Sequence, residues 1–333
     1  MKTRLIVNLS FILVLLLAAC APAGNAAQDG KLNVVATVSP ITNIIYNIGG
    51  EHITVSGIVP EGVNSHTFEP APSDAKKLAQ ADIIFVNGLH LEDPTVKLAE
   101  ANKKSGAEIV SLGEQTITPD QYMYDFSFPK SEGNPNPHLW MNPMNALRYS
   151  EIVKDTLVRR DLANVDYYKG NYEKFKTRIE ALDEVIKAAI NSTPENNRKL
   201  LTYHDSFAYF APRYGMTVIG AIQPSDFAEP SAKDVADLIT QIREEKVPAI
   251  FGSEVFPSPI LEQIAKESGA KYISDLRDDD LPGTPGEAKH SYIGLMVEDV
   301  RIMAEALGGD PSLIANFDVS NVPGKDQAVN QSQ

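Results

Sequence analysis

"NVDYYKGNYEKFKTRIEALDEVIKAAINSTP", residues 164–194, decides how the chain is organised. Tyr168, Tyr172, Phe175, Ile179, Leu182, Ile186 and Ile190 follow one another in steps of three and four, the spacing of one helical face, and Pro194 ends the run. A helix of roughly 30 residues reaches ~45 Å at 1.5 Å per residue. That exceeds one small domain, so the helix is expected to run between two.

On both sides of it, short apolar runs alternate with helical patterns. Before it, "LNVVATV" (32–38), "ITVSGIV" (53–59), "ADIIFVNG" (81–88) and "AEIVSL" (107–112) read as strands. "SDAKKLAQ" (73–80) and "DPTVKLAEANKKSG" (93–106) read as helices, with Pro72 and Pro94 at their starts and Gly106 as a stop. After it, "KLLTY" (199–203), "MTVIGAI" (216–222), "VPAIFGS" (247–253) and "AKYISD" (270–275) are the strands. "DSFAYFAPRYG" (205–215), "SAKDVADLITQIREEK" (231–246), "SPILEQIAKESG" (258–269) and a stretch near 291–308 are the helices. Such alternation implies parallel sheets with right-handed crossovers, hence an α/β fold of two lobes with about four strands each. Residues 113–137 interrupt the rhythm with Pro119, Pro129, Pro135 and Pro137. A long loop of this kind in a compact domain is often functional.

The chain's 333 residues, 43% of them apolar, fit two domains of about 150 residues. Its net charge is −14; without residues 1–19, which hold Lys2 and Arg4 and no acid, 28 basic and 44 acidic residues leave −16. Such a surface repels phosphate, which argues against a nucleic-acid partner, and mildly favours cations. The N-terminus, "MKTRLIVNLSFILVLLLAAC", has a basic start and an apolar run too short to span a membrane, the form of an export signal. It ends on Cys20, the only cysteine, which can form no internal disulfide. "LAAC" resembles a bacterial lipobox, in which the cysteine becomes a lipid-modified first residue. The expected organisation is a signal peptide at 1–19, a flexible tether at 20–31, an N-terminal lobe at 32–160 and the linking helix at 161–193. A C-terminal lobe at 194–320 and a polar tail at 321–333 complete it.

Of six histidines, three stand where a strand ends or an irregular segment passes: His66 in "NSHTFEP", His138 in "NPNPHLWMNP" and His204 directly after "LLTY". Ligands of open α/β sheets gather at the carboxyl ends of strands, so the three can converge on one cleft. Singly, each is an ordinary loop histidine; only the set points to a metal. Asp275, at the end of the last expected strand, is the candidate fourth donor. Asp278, Asp279 and Asp280 read as a solvated charge run, and Glu254 as a second-choice ligand or an acceptor behind the ligands. His52 is expected to face solvent. No H-E-x-x-H, Walker loop, G-x-G-x-x-G or G-x-S-x-G occurs.

Five segments carry a resemblance: "VPEGVNSHTFEPAPSDAKKLAQADIIFVNG", "NPHLWMNP", "TYHDSFAYFAPRYGM", "EPSAKDVADLITQIREEKVPAIFGSEVF" and "AKYISDLRDDDLPG". In order and spacing they resemble the metal-binding lipoproteins of bacterial ABC importers for zinc, manganese or iron(II), the cluster A-I solute-binding proteins. The resemblance implies two (β/α)4 lobes joined by a long rigid helix, with the metal in the cleft. It puts the ligands on His66, His138, His204 and Asp275. It implies a monomer that is no enzyme, works with an ABC permease and its ATPase, and is held by a lipid on Cys20 at the outer face of the cell membrane. Zinc is favoured as cargo, because three imidazoles and one carboxylate suit it. Manganese or iron(II) is the alternative, since many zinc-specific members carry a histidine-rich loop and residues 113–137 hold no histidine. An extracellular zinc hydrolase, or a surface adhesin, is a further alternative; neither has a supporting motif.

Overall fold

The computed structural model describes residues 30–225, 227–255 and 259–323, and for Asp275 the backbone alone. The signal segment, Cys20, most of the tether and the end of the polar tail lie outside the described residues.

Strands β1 (Leu32–Ala36), β2 (Ile53–Gly57), β3 (Ile83–Val86) and β4 (Glu108–Ser111) form one sheet in the order β2-β1-β3-β4. Strands β5 (Lys199–Thr202), β6 (Thr217–Ala221), β7 (Ala249–Ser253) and β8 (Lys271–Leu276) form a second in the order β6-β5-β7-β8. All pairings are parallel. Each sheet therefore reverses direction beside its first strand, the place where the loops leaving the strands diverge and open a cleft. β3 and β7 are buried along their whole length, which is why they read as continuous apolar runs.

The helices are α1 (Ser39–Gly49), α2 (Pro72–Gln80), α3 (Asp93–Asn102), α4 (Pro143–Arg160), α5 (Val165–Ser192), α6 (Ala232–Glu245), α7 (Pro259–Ser268), α8 (Tyr292–Leu307) and the short α9 (Ser312–Ala315). α5 is the linking helix, and its 28 residues are about 42 Å long. Its apolar face, from Tyr168 to Ile190, is buried in one continuous core with Ile41 and Ile45 of the first lobe and Leu200 and Phe251 of the second. Asn171 Nδ2 donates to the carbonyl of Ile48 at 3.1 Å. Further along, Asp183 accepts from Arg213 Nε at 2.6 Å and from the Tyr214 hydroxyl at 2.7 Å. The helix is thus tied to both lobes rather than spanning a gap.

Departures from the sequence reading have local causes. The segment 205–215 forms turns and a single 3-10 turn at Pro212–Tyr214 instead of a helix. Pro212 would clash with the carbonyl four residues back, and Asp205 turns its carboxylate away to accept the N–H groups of Phe126 and Ser127 at 3.1 and 3.3 Å. α1 is absent from the expected helices although Ile41, Ile44, Ile45 and Ile48 keep helical spacing after Pro40, and every one of its residues is buried. Asn321, at the start of the expected polar tail, is buried and accepts from Asn43 and Asn47 of α1 at 3.1 and 2.9 Å.

Candidate metal centre

Each of the three histidines sits in a segment that follows a strand. The His66 loop follows β2, and the His66 N–H donates to Asn64 Oδ1 at 2.9 Å. The same turn recurs at His138, whose N–H donates to Asn136 Oδ1 at 3.0 Å. In both, an asparagine two residues ahead of the histidine bends the backbone through its own side chain. His204 follows β5, where the Thr202 hydroxyl donates to the His204 carbonyl at 2.6 Å.

These loops bring the three Nε2 atoms together at 3.1 Å (His66 to His138), 3.0 Å (His66 to His204) and 3.0 Å (His138 to His204). His138 and His204 are buried and His66 is half-buried. His138 Nδ1 lies 2.8 Å from Asn136 Oδ1, and His204 Nδ1 lies 2.7 Å from Gln223 Oε1. Amide oxygens only accept, so both imidazoles hold their proton on Nδ1 and carry the lone pair on Nε2, toward the shared point. Burial, then the neighbouring imidazoles, pulls His66 and His138 well below the ordinary histidine pKa, which favours neutral rings.

The carboxylate that faces this cluster is Asp278. Its Oδ2 lies 3.5 Å from His204 Nε2 and 3.7 Å from His138 Nε2, and accepts no hydrogen bond among the described residues. Burial, then the nearby Glu254, pushes its carboxyl well above the usual range. Asp275 lies in β8, which runs one residue further than expected, and its side chain is outside the described residues. Asp278, Asp279 and Asp280 are all buried, so the acidic run is no solvated loop.

The long loop at 113–137 stitches the cleft. Asn136 Nδ2 donates to the Asp205 carbonyl at 2.6 Å, and the Ser127 hydroxyl to the Gln223 carbonyl at 2.8 Å. Trp140, the only tryptophan, donates from Nε1 to the Asp278 carbonyl at 2.9 Å. Outside the triad lies a cavity of about 210 Å³, lined among others by His66, His90, Phe128, Glu132 and Phe227. Phe227 stacks on the His66 ring with centroids 4.8 Å apart, and Phe128 closes from another side at 5.4 Å. His66 is therefore the ring that a solute entering from this cavity meets first.

The other histidines are elsewhere. His290 is buried, with Nε2 3.5 Å from Glu61, and His90 is exposed beside Asp93 at the cavity mouth. His52 is half-buried, with its ring 4.2 Å from that of Tyr167, rather than turned to solvent. Among the described residues, His66, His138 and His204 are the one group of three or more potential metal donors gathered within bonding reach of a single ion.

Two α/β lobes on a shared helical spine, with imidazoles meeting between them, define a cleft-type solute-binding protein. The chain belongs to the family described as zinc-uptake complex component A, periplasmic, which matches residues 34–306. It is 30% identical over 308 residues to the iron ABC transporter substrate-binding lipoprotein MtsA of Streptococcus pyogenes, covering 90% of this chain and 96% of that one. It is 29% identical over 305 residues to the manganese ABC transporter substrate-binding lipoprotein PsaA of Streptococcus anginosus, covering 89% and 96%. Its fold matches the periplasmic zinc-binding protein TroA of Treponema pallidum with a TM-score of 0.76 and 26% identity, over 84% of this chain and 99% of that one.

Proposed function

We propose that this chain is an extracytoplasmic binding protein that captures one divalent transition-metal ion, zinc by preference, and delivers it to an ABC permease driven by its ATPase. The observation that carries the reading is the meeting of three Nε2 atoms within 3.0–3.1 Å of one another, with Asp278 facing two of them. A tetrahedral zinc site with bonds of ~2.0–2.1 Å has nitrogen atoms about 3.3–3.4 Å apart, so a small outward movement of the rings suffices. His66, His138, His204 and Asp278 are the proposed ligands. Asp278 replaces Asp275, because its Oδ2 faces the cluster and accepts no hydrogen bond among the described residues.

Zinc is favoured by three imidazoles and one carboxylate, whereas manganese prefers more oxygen donors. The iron and manganese in relatives' names keep both as alternative cargo. A fourth protein ligand leaves no open coordination position for an attacking water, which favours capture over hydrolysis. A lipid on Cys20 would hold the monomer at the outer face of the cell membrane, consistent with relatives named as lipoproteins.

Titration calorimetry of zinc into chelator-stripped protein tests the reading. One ion per chain is expected. His66→Ala and Asp278→Ala are each expected to lose more than the ~10- to 100-fold typical of residues that only support a ligand. Unchanged affinity in both variants rejects the site. Elemental analysis of protein from metal-limited cells identifies the cargo.

A further inference from the structure

Glu254 follows β7, and its Oε1 accepts three consecutive backbone N–H groups: Asp278 at 2.9 Å, Asp279 at 3.1 Å and Asp280 at 3.1 Å. Three successive amides aimed at one oxygen make an anion nest. Only one curvature of the 278–280 turn satisfies all three. The Trp140 indole holds the same turn at the Asp278 carbonyl, at 2.9 Å.

With the backbone held this way, the three aspartates divide. Asp278 faces His204 and His138. Asp279 Oδ2 accepts the Ser65 N–H at 3.1 Å, and Asp280 Oδ2 accepts the Gly62 N–H at 2.8 Å. Ser65 and Gly62 belong to the loop that presents His66, in the other lobe. One turn thus offers a ligand from the second lobe and grips the ligand loop of the first.

We propose that Glu254 is a positioning residue that orients Asp278 and, through Asp279 and Asp280, the His66 loop, so that both lobes' donors are aligned by one carboxylate. The inference rests on the metal-binding reading above. Asp279 and Asp280 are in turn satisfied in their buried positions by the Ser65 and Gly62 N–H groups.

The test uses the full chain with zinc for affinity and Co(II) for the visible spectrum, which reports the donor set. Glu254→Ala is expected to weaken zinc by about 10- to 100-fold and to shift the Co(II) spectrum toward that of Asp278→Ala. Glu254→Gln keeps an acceptor oxygen without the charge and is expected to recover part of the affinity. If Glu254→Ala does not fold, Glu254→Gln against wild type carries the same comparison of affinity and spectrum. The double variant Glu254→Ala/Asp278→Ala is expected to lose less than the product of the single losses. A merely structural role lowers thermal stability and leaves the Co(II) spectrum of the folded protein unchanged, and that result, or fully multiplicative losses, overturns the inference. Failure of wild-type protein to bind either metal overturns the metal reading itself; wild-type binding with unaltered Glu254 variants overturns only the role of Glu254.

Discussion

An imidazole donates a lone pair only from the ring nitrogen that lacks a proton. At His204 that choice is made by Gln223, a buried side chain 19 residues away, whose Oε1 sits 2.7 Å from Nδ1. Gln223→Leu is expected to free the other tautomer and loosen the ring, weakening zinc by about 10- to 100-fold, while Gln223→Glu retains most of the affinity through the same acceptor. Calorimetric dissociation constants check this, and a leucine variant that binds like wild type rejects the role. The histidines themselves were legible because each stands just beyond a strand or within a proline-bounded loop. The sequence holds a further signal: Asn64 and Asn136 both stand two residues before their histidine and turn its backbone. Gln223 had no such signal. Asp278 reads as solvated because a charge run ordinarily is, and only the fold buries it against the imidazoles.

At the scale of elements, α5 was legible because its buried stripe keeps helical spacing for its whole length, and its anchors were not. Burial raises the Asp183 carboxyl, but hydrogen bonds from Arg213 and Tyr214 outweigh it and hold the pKa below the usual range. A carboxyl lowered by folding stabilises the native state above its unfolded pKa of about 3.9, and that share is lost as pH falls through the lower folded value. Asp183→Asn is therefore expected to cost about 1–2 kcal/mol near neutral pH, measured by urea denaturation of metal-free protein. The gap from wild type is expected to hold down to about pH 5 and to close below about pH 4. A gap still undiminished at pH 3 removes the ion pair as its cause. Helix α4 shows the opposite case of legibility. Its start signal, Asn142 accepting the Met144 N–H at 3.0 Å with Pro143 next, is masked in the sequence by the adjoining proline-rich loop.

For the whole molecule, one core runs from the first sheet through α5 into the second. Close-packed interiors do not bend continuously, so wide hinge closure around the cleft would require breaking that core. Metal loading is expected to change the radius of gyration by less than about 1 Å in small-angle X-ray scattering, as for solute binding without domain rearrangement. A contraction of several ångströms on adding zinc would show that the spine yields.

The alternation of strands and helices, the length of the spine and the supply of imidazoles were written in the sequence by itself, because hydrophobic period and strand-end position are local properties. Tertiary structure alone decided which acid faces the cluster, which ring nitrogen keeps its proton and how the two ligand loops are clasped. Those outcomes depend on contacts between groups as far as 218 residues apart, whose partners no local pattern can name.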